Sequence, residues 1–327
     1  MKITFLPRSE IPQQHWNSFI EASPQRIVYA YTWYLDAVTS DWGALVCEAH
    51  GQWQAVMPIP LKKKWGMKVV QQPLFCQLLG IFGAKNAPVE AEQAILSYLT
   101  QRFRYVSIYT GRFQTLQRDF PVLVERTECC THLLNLSVDY QQLREQYTPD
   151  RRRNLRRAEA EGWTWQESGD IQPLMQLFRQ NHAAQIEGGV GEEAYQVLAI
   201  LYQTLYQRGL ATLCYALKEG QIEAGAMFVV ADGRIIYLFN AASARGRKGN
   251  ARTWLIDKML QKYAGQDFLF DFESPMVDSI AGFYKSFGAK EETYSRLRVN
   301  KLPFPLKQIQ DFRAKKYPFF VKRKGIK

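Results

Sequence analysis

Ile235-Ile236-Tyr237-Leu238-Phe239 leads through Ala244-Arg245-Gly246-Arg247-Lys248-Gly249-Asn250-Ala251 into a segment where Ile256, Met259, Leu260 and Tyr263 recur at helical spacing. Strand, Gly/Arg turn and helix in that order decide the fold class. Glycines let backbone N–H groups approach an anion, the helix start adds partial positive charge, and Arg245, Arg247 and Lys248 add full charges. The pattern is that of a pyrophosphate cradle, and the same residues also make an ordinary turn. Downstream, 268–272 reads as a strand, 280–287 as a helix and 293–299 as the last strand. Upstream, 211–218, 224–231 and 234–240 read as three strands joined by hairpin turns at Gly220 and Asp232-Gly233. Two helices precede them, one marked by Leu174, Leu177 and Phe178, the other by Leu198, Leu201, Tyr202 and Leu205.

Working outward, 132–136 reads as a strand and 140–147 as a helix broken by Pro149. Asp150 is then the expected cap of an arginine-rich helix ending at Gly162. The first half repeats a shorter version of the order seen in the second. It has strands at 44–49 and 53–60 around a His50-Gly51 turn, a basic hairpin tip at 62–68, a helix over 88–104 and a strand at 106–109. The reading is an α/β (mixed α+β) chain with an internal duplication. The expected domains are 1–130 and 131–312, followed by a basic tail at 313–327.

Composition narrows the class. The 327 residues are 46% hydrophobic and 22% charged, which excludes a disordered or low-complexity chain. No apolar run is long enough to span a bilayer, and residues 1–8 carry no apolar signal core, so a cytoplasmic protein is expected. The formal charge is +11, and seven of the excess positive charges lie in 313–327. Arg151, Arg152, Arg153, Arg156 and Arg157 form a second basic cluster. Such local blocks suit a polyanion, or a solvated helix face. The five cysteines form no CxxC and the four histidines no paired motif, so neither a disulfide framework nor a metal site is expected.

The turn at 246–251 resembles the acyl-donor loop of the GNAT superfamily of N-acyltransferases. In that family the loop reads Gln/Arg-x-x-Gly-x-Gly/Ala. Gly249 and Ala251 match, whereas Gly246 stands where the family has Gln or Arg. Phe268-Leu269-Phe270-Asp271-Phe272-Glu273 resembles the fifth GNAT strand, and Ala281-Gly282-Phe283-Tyr284-Lys285-Ser286-Phe287-Gly288-Ala289 the helix after it. Over its length the chain resembles the Fem-type aminoacyltransferases, which carry two GNAT-like domains in tandem. In such proteins an Arg/Asn-rich helix like 151–159 opens the second domain. The resemblance implies two twisted, mostly antiparallel sheets flanked by helices.

It also implies the chemistry. Acyl-CoA (acetyl-CoA) or aminoacyl-tRNA would be the donor substrate, with no tightly bound cofactor, and an amine the acceptor. Arg245, Gly246, Arg247, Lys248, Gly249, Asn250 and Ala251 would hold the donor. Direct attack by an amine requires a base, donors for the oxyanion and an acid for the leaving group. Glu273 is the first choice for the base and Asp271 the second; salt-bridging is the other role for both. Tyr284 is either the acid or a core tyrosine, because Ile280, Phe283, Tyr284 and Phe287 share one apolar stripe. Two other readings stand beside this one. One is a non-catalytic module binding RNA through Arg151 to Arg157; the other is a membrane-lipid aminoacyltransferase whose basic tail rests on anionic lipid.

Overall fold

The computed structural model describes residues 1–111, 124–186, 188–274 and 277–316. The chain divides into two compact units, one built from Met1–Cys129 with the segment from Thr293, the other from Cys130–Glu292. The first unit opens with β1 (Lys2–Pro7), α1 (Gln13–Ala22), α2 (Thr32–Val38), β2 (Trp42–Ala49), β3 (Gln52–Lys64) and β4 (Met67–Gln71). β5 (Phe82–Gly83), α3 (Val89–Arg102) and β6 (Tyr105–Thr110) follow. Ala91, Ile95, Leu96 and Leu99 of α3 bury one stripe against Leu45, Cys47, Met57 and Ile59 of the sheet. Strand β7 (Glu125–Asn135) carries the chain onward.

The second unit contains α4 (Tyr140–Glu145), α5 (Pro149–Ala160), β8 (Thr164–Glu167), α6 (Gln172–Asn181), α7 (Glu192–Gln207) and β9 (Ala211–Lys218). It continues with β10 (Gln221–Ala231), β11 (Arg234–Ala242), α8 (Ala244–Lys248), α9 (Ala251–Tyr263), β12 (Leu269–Asp271) and α10 (Asp278–Lys285). Its strand order is β8-β9-β10-β11-β12-β7. Every pair is antiparallel except β11 with β12. The turns Glu219-Gly220 and Asp232-Gly233 have positive φ at both residues, the two-residue hairpin geometry that matches strand twist.

The chain then returns to the first unit with β13 (Lys290–Asn300) and α11 (Leu306–Lys316). There the strand order is β1-β2-β3-β4-β6-β13, with β5 beside β3, and β4 with β6 is the parallel pair. Each unit is thus an antiparallel run of four strands, a parallel fifth and an antiparallel sixth, which is the internal duplication expected from element order.

Three expectations change. The sequence reading places the strand at 293–299 in the second domain, yet Ser295–Asn300 pairs with Tyr105–Thr110 of β6. The sixth place of the second unit is taken by β7, whose Leu133–Asn135 pair with β12. A strand's own residues encode its faces but not which exposed edge it joins. Second, α5 is capped by Thr148, whose side chain accepts the Arg151 N–H, with Pro149 in the first turn; Asp150 lies inside the helix. Third, the turn at 244–248 is a helical turn rather than an open loop. Of the basic tail, 317–327 lies outside the described residues.

Candidate active site

Strands β11 and β12 pair only over Arg234–Ile236 with Leu269–Asp271, while β11 runs on to Ala242. The pairing stops there because β12 ends at Asp271, the residue opposite Ile236. At the same place β11 carries a bulge: Met227 opposes Phe239 and Phe228 opposes Tyr237, leaving Leu238 as the extra residue. A bulge locally twists a strand and re-aims its backbone groups. Beyond Ile236 the edge of β11 that faced β12 is therefore without a β12 partner, next to the Leu238 bulge.

The end of β12 is held by Asp271, which is fully buried. One carboxylate oxygen accepts from Thr131 Oγ1 at 3.0 Å and from the Glu273 N–H at 2.9 Å. The other lies 3.3 Å from Arg234 Nη1. Burial pushes the Asp271 carboxyl up, against the pull of Arg234 and the hydrogen bonds. Thr131 Oγ1 also accepts the Ser274 N–H at 3.1 Å. Asp271 and Thr131 together fix the backbone on which Glu273 sits. Glu273 is half-buried and has φ 46°, a left-handed conformation that costs a non-glycine residue about 1–2 kcal/mol. Such strain persists only where the surroundings impose it, and it clusters at working sites.

Tyr284 on α10 stacks on Phe272 with ring centroids 4.6 Å apart and meets Tyr237 edge-on at 6.3 Å. Phe283 and Phe287 complete the cluster. The Tyr284 ring is core, packed between Phe272 and Tyr237. The Tyr237 hydroxyl is buried with no hydrogen-bond partner among the described residues, and burial raises its pKa well above the usual range.

The arginine cluster divides. Arg152, Arg153, Arg156 and Arg157 are exposed, and Arg153 pairs with Asp150. Arg151 is buried on the stripe it shares with Leu155 and Ala158. Its guanidinium donates to Ser286 Oγ at 2.8 Å and Thr253 Oγ1 at 2.6 Å, and lies 4.2 and 4.5 Å from the ring centres of Phe283 and Phe287. Burial lowers its pKa to about 10. Arg151 thus joins α5, α9 and α10. The i, i+4, i+7 spacing of Arg151, Leu155 and Ala158 is the signal that distinguishes it from its neighbours. Nearby, Asp257 accepts from Tyr140 and Tyr147 hydroxyls at 2.6 and 2.9 Å, fastening α4 and the start of α5 to α9.

The expected donor cradle is not formed as the sequence suggested. The Gly246 N–H is taken by Ser243 Oγ, and those of Arg247, Gly249 and Asn250 by carbonyls of Ser243, Arg245 and Arg247. A Cβ on Gly246 would lie 2.1 Å from the Glu223 carbonyl oxygen, and one on Gly249 2.4 Å from the Trp163 ring. Trp163 also donates its indole N–H to the Gly249 carbonyl at 3.0 Å. At both glycines the space a side chain would need is taken by protein. Arg245 is drawn to Glu219 at 3.0 Å and Glu223 at 3.9 Å, while Ser243 bonds Glu223. Arg247 donates to the Ala242 carbonyl, and Lys248 is exposed. What remains for an anion is the first turn of α9 after Ala251. There Asn250 is left-handed and gives no side-chain cap, and half-buried Arg252 lies 3.3 Å from Asn240 Oδ1. His182, Thr131, Trp163 and Glu223 were not singled out from the sequence. His182 Nε2 contacts the Ala242 backbone at 3.1–3.2 Å; no local motif marks any of the four. Among the described residues, no group of three or more His, Cys, Asp and Glu is placed to hold a metal.

Residues 148–275 match the family model described as an acetyltransferase (GNAT) domain. Solved structures similar in fold include FemX, with 14% identity and a TM-score of 0.66 over 94% of this chain and 99% of that one. A tandem GNAT protein from the clavulanic acid biosynthesis pathway has 11% identity and a TM-score of 0.54 over 92% and 99%. L-PGS from Bacillus licheniformis has 15% identity and a TM-score of 0.53 over 96% and 98%. No curated protein matches the sequence. At these identities the likeness is one of fold: two GNAT folds in tandem.

Proposed function

We propose that this chain, whose residues 148–275 carry the GNAT acetyltransferase domain, is an N-acyltransferase that moves an aminoacyl group from aminoacyl-tRNA to an amine. The observation that carries the transferase reading is that β12 ends at Asp271 while β11 runs on to Ala242, with the Leu238 bulge beside that unpaired edge. Strand-edge N–H groups re-aimed by a bulge are suited to a developing oxyanion.

The amine nitrogen attacks the acyl carbonyl carbon, and the bond from that carbon to the donor ribose oxygen breaks. Glu273 takes the proton lost by the nitrogen. Tyr284 gives a proton to the departing oxygen and regains one from solvent. Asp271, closed off from substrate, acts as a positioning residue through the Glu273 N–H. The amine and the acyl carbon are brought together by binding, so no covalent enzyme intermediate is needed.

The donor choice rests on charge and space. Gly246 and Gly249 are closed by Glu223 and Trp163, and glutamates surround Arg245, which disfavours a pyrophosphate over that turn. Four exposed arginines on α5 suit a polyanion. Acyl-CoA is the second reading, with its phosphates at the first turn of α9 beside Arg252. The test measures binding of aminoacyl-tRNA and of acetyl-CoA, with transfer to an amine acceptor as the activity readout. The expected result is tRNA binding whose salt slope falls by about 3–4 when all four exposed arginines become Gln. Turnover should drop about 10²–10⁴-fold in Glu273→Gln. A thermal shift with acetyl-CoA that Arg252→Glu abolishes would replace the tRNA donor by acyl-CoA. Unchanged turnover in Glu273→Gln would remove the base.

A further inference from the structure

We infer that the β3–β4 hairpin tip and helix α11 form a surface by which the first unit rests on an anionic lipid bilayer. Among the described residues nine large apolar side chains are exposed, and four lie here: Trp65 (38%), Phe304 (82%), Ile309 (43%) and Phe312 (66%). Trp65 is at the hairpin tip; the other three lie on α11 or just before it. These two pieces of chain are more than 200 residues apart in sequence. They are joined by one small apolar cluster in which Val69 and Tyr105 meet Leu302, with Met67 and Leu306 packed against it. Trp65 reaches the same cluster, meeting Tyr105 edge-on at 6.2 Å.

The orientation of α11 is fixed from its other side. Asp311 accepts from Arg298 and from Asn300 Nδ2, and Asn300 Nδ2 also donates to the Lys307 carbonyl. With Lys307 and Asp311 held against β13, the stripe of Ile309, Phe312 and Arg313 faces away. The helix therefore presents apolar side chains outward by construction.

Charge selects the occupant. The hairpin tip holds Lys62, Lys63 and Lys64, with Lys68 paired to Asp41, and α11 holds Lys307, Arg313, Lys315 and Lys316, its one acid, Asp311, being taken up by Arg298. Burial, with the fields of Lys62 and of Arg313 on α11, lowers the Lys64 pKa. Lysines around outward Trp, Phe and Ile suit a surface resting on the bilayer interface, with rings at headgroup level and cations on anionic lipid. A nucleic acid would use the cations but gains little from Ile309. Among the described residues no helix is long and apolar enough to cross a membrane, so this surface would lie on the bilayer rather than span it.

The test is flotation of the full chain with vesicles of phosphatidylcholine plus phosphatidylglycerol, against phosphatidylcholine alone. Binding is expected to the anionic vesicles and to fall about tenfold or more in Phe304→Ser/Phe312→Ser and in Lys62→Gln/Lys63→Gln. Leu74→Ser, at an exposed leucine of the same unit that belongs to neither the hairpin tip nor α11, should float like the parent. If the phenylalanine variant loses its thermal transition, the lysine variant carries the same expectation, since both its positions are exposed. Absence of anionic-vesicle binding, equal flotation of the lysine variant, or tRNA binding that depends on these residues without vesicle binding would each overturn the inference.

Discussion

Replacing Gly246 by alanine in the ligand-free protein tests what the glycines of the 246–251 turn are for. The new Cβ would stand 2.1 Å from the Glu223 carbonyl oxygen and 2.9 Å from its carbon. A backbone group in β10 cannot swing aside as a side chain can, so α8 must lift from the strand. Lifting it strains the bonds from Ser243 to the Gly246 N–H and to Glu223. Overpacking of a closed site costs about 1–3 kcal/mol, and with a backbone opponent we expect the upper end, about 3 kcal/mol. For a unit of this size each kcal/mol moves Tm by about 2–4 °C, so Gly246→Ala should unfold about 6–12 °C lower. Gly249→Ala meets the Trp163 ring at 2.4 Å, and the indole yields only by breaking its bond to the Gly249 carbonyl. Its cost should be about 1–3 kcal/mol. Gly282 is the control: it lies in α10, exposed, with nothing within 4 Å of a new Cβ, so Gly282→Ala should stabilise by about 0.5–1 kcal/mol. The assay is thermal unfolding followed by circular dichroism. If Gly246→Ala and Gly249→Ala melt like the parent and lose only donor binding, the glycines are there for phosphate and the packing argument is wrong.

Two further predictions concern buried charge. Arg151→Ala should cost about 2–4 kcal/mol in chemical unfolding because two ring contacts and two hydroxyl bonds disappear, and Arg151→Lys should not restore it, since a point charge cannot stack as a planar guanidinium does. Exposed Arg156→Ala should stay within about 0.5 kcal/mol, and equal losses at 151 and 156 would contradict the division of the cluster. Burial raises the Asp257 carboxyl above its ordinary value, outweighing the bonds from Tyr140 and Tyr147, so the folded chain holds that proton more tightly than the unfolded chain. The associated stability is fully present below about pH 3.9, the unfolded value, and is lost as pH rises through the folded one. The stability difference between the parent and Asp257→Asn should therefore drift toward the variant as pH rises from about 4; a difference independent of pH would refute it.

Much of the second unit was legible because its signals are local. Hairpin turns at Gly220 and Asp232-Gly233, the helix over 251–263 and the apolar stripe around Tyr284 each arise from residues close in sequence, and each lies where its spacing put it. For the candidate site the sequence offered residue types and positions along the chain. It did not offer their physical setting. Asp271 and Glu273 were read as neighbours alternating along one strand, whereas β12 ends at Asp271 and Glu273 is left-handed, its N–H bonded to the Asp271 carboxylate.

By itself, then, the sequence determined the element order, the duplicated α/β architecture and the places where cations gather, because backbone turns, periodicity and charge are properties of short stretches. Only the tertiary structure decided which strand closes which unit, since β7 and β13 present themselves to edges their own residues do not specify. It alone decided that Arg151 goes inside while Arg152, Arg153, Arg156 and Arg157 stay out, and that Gly246 and Gly249 are filled by Glu223 and Trp163. These outcomes depend on groups tens of residues away competing for the same space, and that competition is settled by packing.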